Sequence, residues 1–248
     1  MRRAIVAGLL LVGFCAGCGD DEDSSSPRLV VSAASSMTVA LTACSPDFDA
    51  ADVRLQFAGS DELAAQIRQG VKPDVYAAAN TKLPDELNKE DLLSKPVEFA
   101  TNELVIAVPK DSEIQSVEDL GADGVKLAIG SESVPIGSYT REVVARLPKA
   151  EADAILANVR SNEPDVKGIV GKLTQGAADA GFVYVTDVNA AGDELRAVKL
   201  PADLEPDVTY AAGVVKGAKQ PDQARAFVGG LTDGGCADAL EQAGFGAP

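Results

Sequence analysis

The sequence predicts an α/β fold with two lobes, in which mostly parallel strands are covered by helices. Short apolar runs rich in Val, Leu, Ile and Ala alternate along the chain with patterns of helical period. This alternation is typical of βαβ units. The sequence shows no internal repeat and no long linker, yet the strands are numerous for one small sheet. Together these features favour a two-lobed body in which the chain crosses over and returns.

Seven runs are predicted to form strands, because each is short, apolar and bounded by turn residues. They are Leu29–Val31, Val53–Phe57, Val75–Ala78, Leu104–Val108, Leu127–Ile129, Gly181–Val185 and Ala211–Val215. Six segments between them have helical patterning. They are Thr38–Ala43, Asp61–Gln69, Gly137–Leu147, Ala150–Ala157, Val166–Gln175 and Gln223–Leu231.

The N-terminus has the order of a secretory signal. Arg2 and Arg3 precede an apolar run, and the small residues before Cys18 follow it. The run is shorter than the ~20 residues that a membrane-spanning helix needs. Residues 16–18 resemble a bacterial lipoprotein box, although Cys15 stands where such a box usually has an aliphatic residue. We therefore expect residues 1–18 to be a signal that ends at a lipid-modified Cys18; the alternative is simple cleavage to a soluble product.

Residues 19–27 are acidic and almost free of apolar side chains, which predicts a flexible tether. The whole chain has 38 acidic and 22 basic residues, a formal charge of −16, without any Lys/Arg-rich stretch. This charge argues against nucleic acid as a partner. The chain has no histidine, which excludes a His-dependent catalytic triad and a His/Cys zinc site.

Two of the four cysteines, Cys44 and Cys236, lie beyond the signal region. In an oxidising exported compartment an even pair indicates a disulfide. This bond would tie an early segment to the C-terminal helix. The alternative is two buried free thiols.

Four junctions ahead of predicted helices carry small polar or turn residues: Ser32–Thr38, Gly59–Glu62, Ser133–Tyr139 and Pro164–Lys167. Ser60 and Asp165 are predicted to be N-caps. A helix start leaves backbone N–H groups unpaired at the positive end of the helix dipole, so it binds an oxyanion without a basic side chain. An anion ligand is therefore compatible with the acidic charge, because these donors act at close range.

The ordered set of segments resembles the periplasmic molybdate-binding proteins, the receptors of molybdate ABC transporters, which are type II periplasmic binding proteins. The resemblance extends from Arg28 to the C-terminus. The segments that carry it are Ala33–Thr38, Phe57–Gly70, Pro73–Asn80, Asn102–Pro109, Val134–Tyr139 and Ala180–Tyr184.

The resemblance implies a ligand cleft between two lobes. The first lobe would comprise residues 28–101 and 207–248, and the second residues 102–206. Five residues would bind the oxygens of the anion, with no cofactor and no direct metal ligand. They are Ser36 and Ser60 through hydroxyl and amide, Ile136 and Val166 through backbone N–H, and Tyr184 through its hydroxyl. Ser35 is the alternative to Ser36 if the register differs by one.

The family's ligand is molybdate, and tungstate has the same charge and nearly the same size. Sulfate is smaller and would leave donors unmet, and phosphate that keeps a proton needs an acceptor; both remain alternatives. A hydrolase is disfavoured because the sequence has neither a Gly-x-Ser-x-Gly nor a Ser-x-x-Lys motif. A surface-tethered structural module is a third interpretation. The N-terminus predicts an exported protein that is lipid-anchored to the outer face of the cell membrane. The resemblance implies the permease of an ABC importer as its partner, and we expect a monomer.

Overall fold

The computed structural model describes residues 26–248. These residues form ten strands and nine α-helices, joined by short 3₁₀ turns. The strands are β1 Arg28–Ala34, β2 Asp52–Ala58, β3 Val75–Ala78, β4 Val97–Asn102, β5 Leu104–Pro109, β6 Leu127–Gly130, β7 Val159–Glu163, β8 Ala180–Tyr184, β9 Leu195–Lys199 and β10 Val208–Val214. The helices are α1 Thr38–Cys44, α2 Ser60–Arg68, α3 Lys82–Lys89, α4 Pro135–Arg146, α5 Lys149–Ala157, α6 Val166–Thr174, α7 Val185–Ala191, α8 Pro221–Asp233 and α9 Gly235–Ala243.

The strands form two five-stranded sheets with helices, which confirms the predicted α/β class. The first sheet has the order β2-β1-β3-β10-β4, and the second has the order β7-β6-β8-β5-β9. The chain passes from the first sheet to the second between β4 and β5, and it returns between β9 and β10.

Both sheets are mixed, so the prediction of mostly parallel strands was wrong in part. β1 runs parallel to β2 and β3, and β6 runs parallel to β7 and β8. β10 runs antiparallel to β3 and β4, and β5 runs antiparallel to β8 and β9. β5 and β10 are the strands that follow the two crossings. Because the chain enters each of these strands from the other sheet, no helical crossover has to link the strand to a parallel neighbour, and the strand can run antiparallel.

The central strands are buried on both faces. All residues of β3, β6 and β8 are buried, and their sequences are continuous apolar or small-residue runs. The edge strand β7 alternates between half-buried and exposed residues and has the polar sequence VRSNE. Burial in the sheet centres therefore explains the apolar runs from which the sequence predicted these three strands.

Cys44 and Cys236 are joined by a disulfide, with their Cα atoms 5.0 Å apart. Cys44 is the last residue of α1, and Cys236 lies in the first turn of α9. Phe48 and Phe227 pack edge to face close by, with ring centroids 5.4 Å apart. The bond fastens the C-terminal helix to the helix that follows the first strand.

In residues 26–248, no helix combines the length and the apolar character needed to cross a membrane. The predicted signal, the lipid-modified Cys18 and tether residues 19–25 lie outside the described residues.

Candidate functional site

A small cleft lies where strand ends and helix starts of the two sheets meet. The residues that line it are Ala34, Ser35, Ser36, Ala58, Gly59, Ser60, Ala79, Val134, Pro135, Ile136, Asp165, Val166 and Tyr184. All five sequence-predicted ligand residues are among them, and so is Ser35, the alternative to Ser36.

Ser36 lies in a 3₁₀ turn between β1 and α1, and its hydroxyl contacts a residue far along the chain. Its Oγ is 2.9 Å from the hydroxyl oxygen of buried Tyr210. The Tyr210 oxygen also accepts from Asn102 Nδ2 at 3.4 Å, while Asn102 Oδ1 accepts from the N–H of Glu103. Either hydroxyl can donate in the bond between Ser36 and Tyr210, and in one of the two arrangements Tyr210 donates to Ser36. The Ser36 hydrogen is then free to donate into the cleft.

Ser60 is the first residue of α2 and does not cap it, so that prediction was wrong. Gly59 is the N-cap, and no side chain caps the helix. Ser60 Oγ instead accepts a hydrogen bond from the N–H of Ala79 at 3.1 Å, and its carbonyl oxygen accepts from the Tyr76 hydroxyl at 2.8 Å. These two contacts fix the residue and leave the hydroxyl hydrogen of Ser60 available to donate.

Ile136 and Val166 lie in the first turns of α4 and α6, where backbone N–H groups have no partner within the helix. α4 begins with Pro135 after Val134, which has no side-chain cap. α6 begins at Val166 after Asp165, and the carboxylate of Asp165 accepts from the N–H of Gly168 at 2.9 Å. The predicted cap at Asp165 is confirmed. This bond occupies the third N–H of the helix and does not involve that of Val166.

Tyr184 ends β8, and its side chain is buried. Within the part of the chain that the structure describes, its hydroxyl has no hydrogen-bond partner. Burial raises the pKa of this hydroxyl well above the usual value of 10, and nearby Tyr210 adds to the effect. Tyr184 therefore stays neutral and carries an O–H donor for a ligand in the cleft.

The lining residues include no lysine or arginine, and their one carboxylate, Asp165, caps its own helix. Residues 26–248 also contain no group of three or more His, Cys, Asp or Glu side chains placed to hold a metal ion. The cleft therefore offers neutral hydroxyl and amide donors, a set suited to an oxyanion that carries no proton.

Sequence reasoning missed three residues behind the cleft: Asn102, Tyr210 and Asp187. Asp187 lies in α7 with its carboxylate fully buried, and Lys167 Nζ is 3.3 Å from its Oδ1. Burial raises the pKa of Asp187 to about 6, against a smaller lowering effect of Lys167. In the sequence, Asn102 is a polar residue close to a predicted strand, and Tyr210 is a tyrosine directly before another predicted strand. Neither pattern indicates which distant residue the side chain will contact.

Residues 29–246 match the sequence model of the family described as bacterial extracellular solute-binding proteins. This chain belongs to that family. Its members bind solutes, so the chain is a binding protein and not an enzyme. Over 263 aligned residues it is 36% identical to the molybdate-binding protein ModA of Mycobacterium tuberculosis, covering 100% of this chain and 98% of the relative.

Two solved structures show how widely the fold is used. The periplasmic molybdate-binding protein of Azotobacter vinelandii superposes with a TM-score of 0.77 at 20% identity, covering 89% of this chain and 99% of that structure. The sulfate-binding protein SubI of M. tuberculosis superposes with a TM-score of 0.76 at 17% identity, covering 88% and 86%. At these identities the likeness concerns the fold alone, which serves binders of different tetrahedral anions.

Proposed function

We propose that this solute-binding protein captures molybdate, and also tungstate, in the cleft and delivers it to the permease of an ABC importer. The observation that carries the proposal is the set of neutral donors on one small cleft. The set comprises the hydroxyls of Ser36, Ser60 and Tyr184 and the helix-start amides of Ile136 and Val166. The 36% identity to a molybdate-binding protein over the full length supports the same ligand.

The donor set favours an oxyanion without protons. Hydrogen phosphate would need an acceptor, and the lining offers one carboxylate, Asp165, whose Oδ1 accepts from the N–H of Gly168 in its own helix. Asp61 and Glu62, the two carboxylates that follow Ser60, are not among the lining residues, and Asp61 Oδ2 accepts from Ser133. Sulfate carries no proton near neutral pH but is smaller, and each donor left unmet in a closed cleft costs about 1–3 kcal/mol. Sulfate therefore remains the second candidate.

We assign residues 28–101 and 207–248 to one lobe and residues 102–206 to the other. These ranges fit the two sheets and the two chain crossings. Closure of the lobes would exclude water and strengthen each hydrogen bond to the ion. We also propose that the protein is exported, anchored by lipid at Cys18, and monomeric, on the basis of its N-terminal sequence and its family.

Isothermal titration calorimetry with molybdate, tungstate, sulfate and phosphate tests the proposal. We expect tight, comparable binding of molybdate and tungstate and weak binding of the other two. Ser36→Ala and Ser60→Ala should each weaken molybdate binding by about 1–3 kcal/mol. Ser131→Ala is the matched control, because Ser131 donates to the Glu163 carbonyl and does not line the cleft. Preferential binding of sulfate or phosphate would reverse the ligand assignment, and unchanged affinity in both serine variants would place the site elsewhere.

A further inference from the structure

A hydrogen bond at the edge of the cleft joins the two sheets through side chains that do not line it. Asp61 is the second residue of α2, directly after Ser60. Ser133 lies in the turn before α4 and is exposed to solvent. The Ser133 hydroxyl donates to Asp61 Oδ2 at 2.5 Å. The two residues are 72 positions apart, and each is within three positions of a proposed ligand residue, Ser60 or Ile136.

The backbone is closely packed at the same place. A Cβ atom on Gly59 would lie 2.4 Å from the carbonyl oxygen of Pro164 and 3.4 Å from Val134 Cγ2. Gly59 precedes α2 of the first sheet, whereas Pro164 and Val134 precede helices of the second. The two halves are therefore in contact around the cleft, so the bond between Asp61 and Ser133 belongs to a closed arrangement.

Apart from this contact, the Asp61 carboxylate has few hydrogen-bond partners. Its Oδ1 is buried and has no hydrogen-bond partner in residues 26–248. A buried carboxylate oxygen without a partner is unfavourable, so the residue gains little within its own lobe beyond the helix dipole of α2. Among residues 26–248, Ser133 provides the one hydrogen bond to the Asp61 side chain, through Oδ2, and this bond forms only when the two lobes meet.

We infer that Asp61 and Ser133 form a latch that closes after the ion enters and sets how long the ion stays bound. The inference rests on the proposed function, because it assigns a role to residues at the rim of that site. Both are positioning residues and need not touch the ion. A contact that forms after entry slows dissociation and leaves association nearly unchanged.

The test is stopped-flow measurement of molybdate association and dissociation on the full-length protein. Ser133→Ala and Asp61→Ala should each speed dissociation by roughly threefold to tenfold, the range for one solvent-edge hydrogen bond. The double variant should be no faster than either single variant, since both remove the same contact. Ser133→Thr keeps the hydroxyl and should restore slow dissociation.

Glu62→Ala is the matched control for charge. It removes a carboxylate from the same turn of α2, and within the described residues 26–248 that carboxylate accepts only from Gln66 of its own helix. We expect its dissociation rate to match that of the wild type. Wild-type dissociation rates in Ser133→Ala, or rate effects that add in the double variant, would overturn the latch alone. Failure of the wild-type protein to bind molybdate would overturn the proposed function and the latch together.

Discussion

Replacing Tyr184 with phenylalanine should lower ligand affinity without lowering the stability of the empty protein. The Tyr184 hydroxyl is buried and has no partner in the described chain. Burying a hydroxyl without a hydrogen bond costs about 1–3 kcal/mol, so its removal leaves the free energy of unfolding unchanged or raises it by up to that amount. A hydrogen bond to a charged group contributes about 1.5–3 kcal/mol. The dissociation constant for molybdate should therefore rise by roughly 10-fold to 150-fold.

Calorimetry with molybdate measures the affinity, and urea unfolding of the ligand-free protein measures the stability. Tyr76→Phe is the matched control for stability, because Tyr76 is equally buried but donates to the Ser60 carbonyl oxygen at 2.8 Å. Loss of this hydrogen bond in Tyr76→Phe should lower the free energy of unfolding of the empty protein by about 0.5–1.5 kcal/mol. The reasoning is refuted if Tyr184→Phe binds molybdate like the wild type. It also fails if Tyr184→Phe destabilises the empty protein as much as Tyr76→Phe does.

Two further predictions concern stability. Replacing both Cys44 and Cys236 with serine should lower the free energy of unfolding by about 2–5 kcal/mol, because the disulfide closes a loop spanning 192 positions. Urea unfolding measures this change. An unchanged urea midpoint, or free thiols in the native wild type, would contradict the prediction. The pKa of Asp187 is raised to about 6, above its ordinary value of 3.8, so its protonated form favours folding and this contribution is lost as pH rises from about 4 through 6. Asp187→Asn should abolish that part of the pH dependence, on the order of 2 kcal/mol; wild-type and variant unfolding curves that shift in parallel between pH 4 and 7 would disprove it.

The strands that the sequence failed to predict are three of the four sheet edges. β4, β7 and β9 have the sequences VEFATN, VRSNE and LRAVK, and all are terminal in their sheets. An edge strand has fewer neighbours and more contact with solvent, so it tolerates charged residues that break the apolar signal. The fourth edge, β2, was predicted, and in it the apolar residues Val53, Leu55 and Phe57 alternate with polar ones. Burial pattern thus decides which strands can be predicted from composition.

The candidate site was predictable where the signal is local. Ser36, Ser60, Ile136 and Val166 all lie at junctions where a strand or loop leads into a helix. The residues behind them were not predictable, because their contacts span long distances in sequence. Ser36 and Tyr210 are 174 positions apart, and Asn102 and Tyr210 are 108 positions apart. No short pattern encodes such a pair; it exists only after both sheets have formed.

The helix start at Val166 separates what the fold requires from what the ligand requires. The Val166 side chain is buried and serves packing, while the proposed donor is its backbone N–H. A change to another apolar residue of similar size would alter the core and leave that donor in place. Proline is different, because the first helical position accommodates it well and the extended backbone of Asp165, with φ −155° and ψ 174°, suits a following proline. At this position a substitution that the scaffold tolerates would remove one of the donors that we propose for the ion.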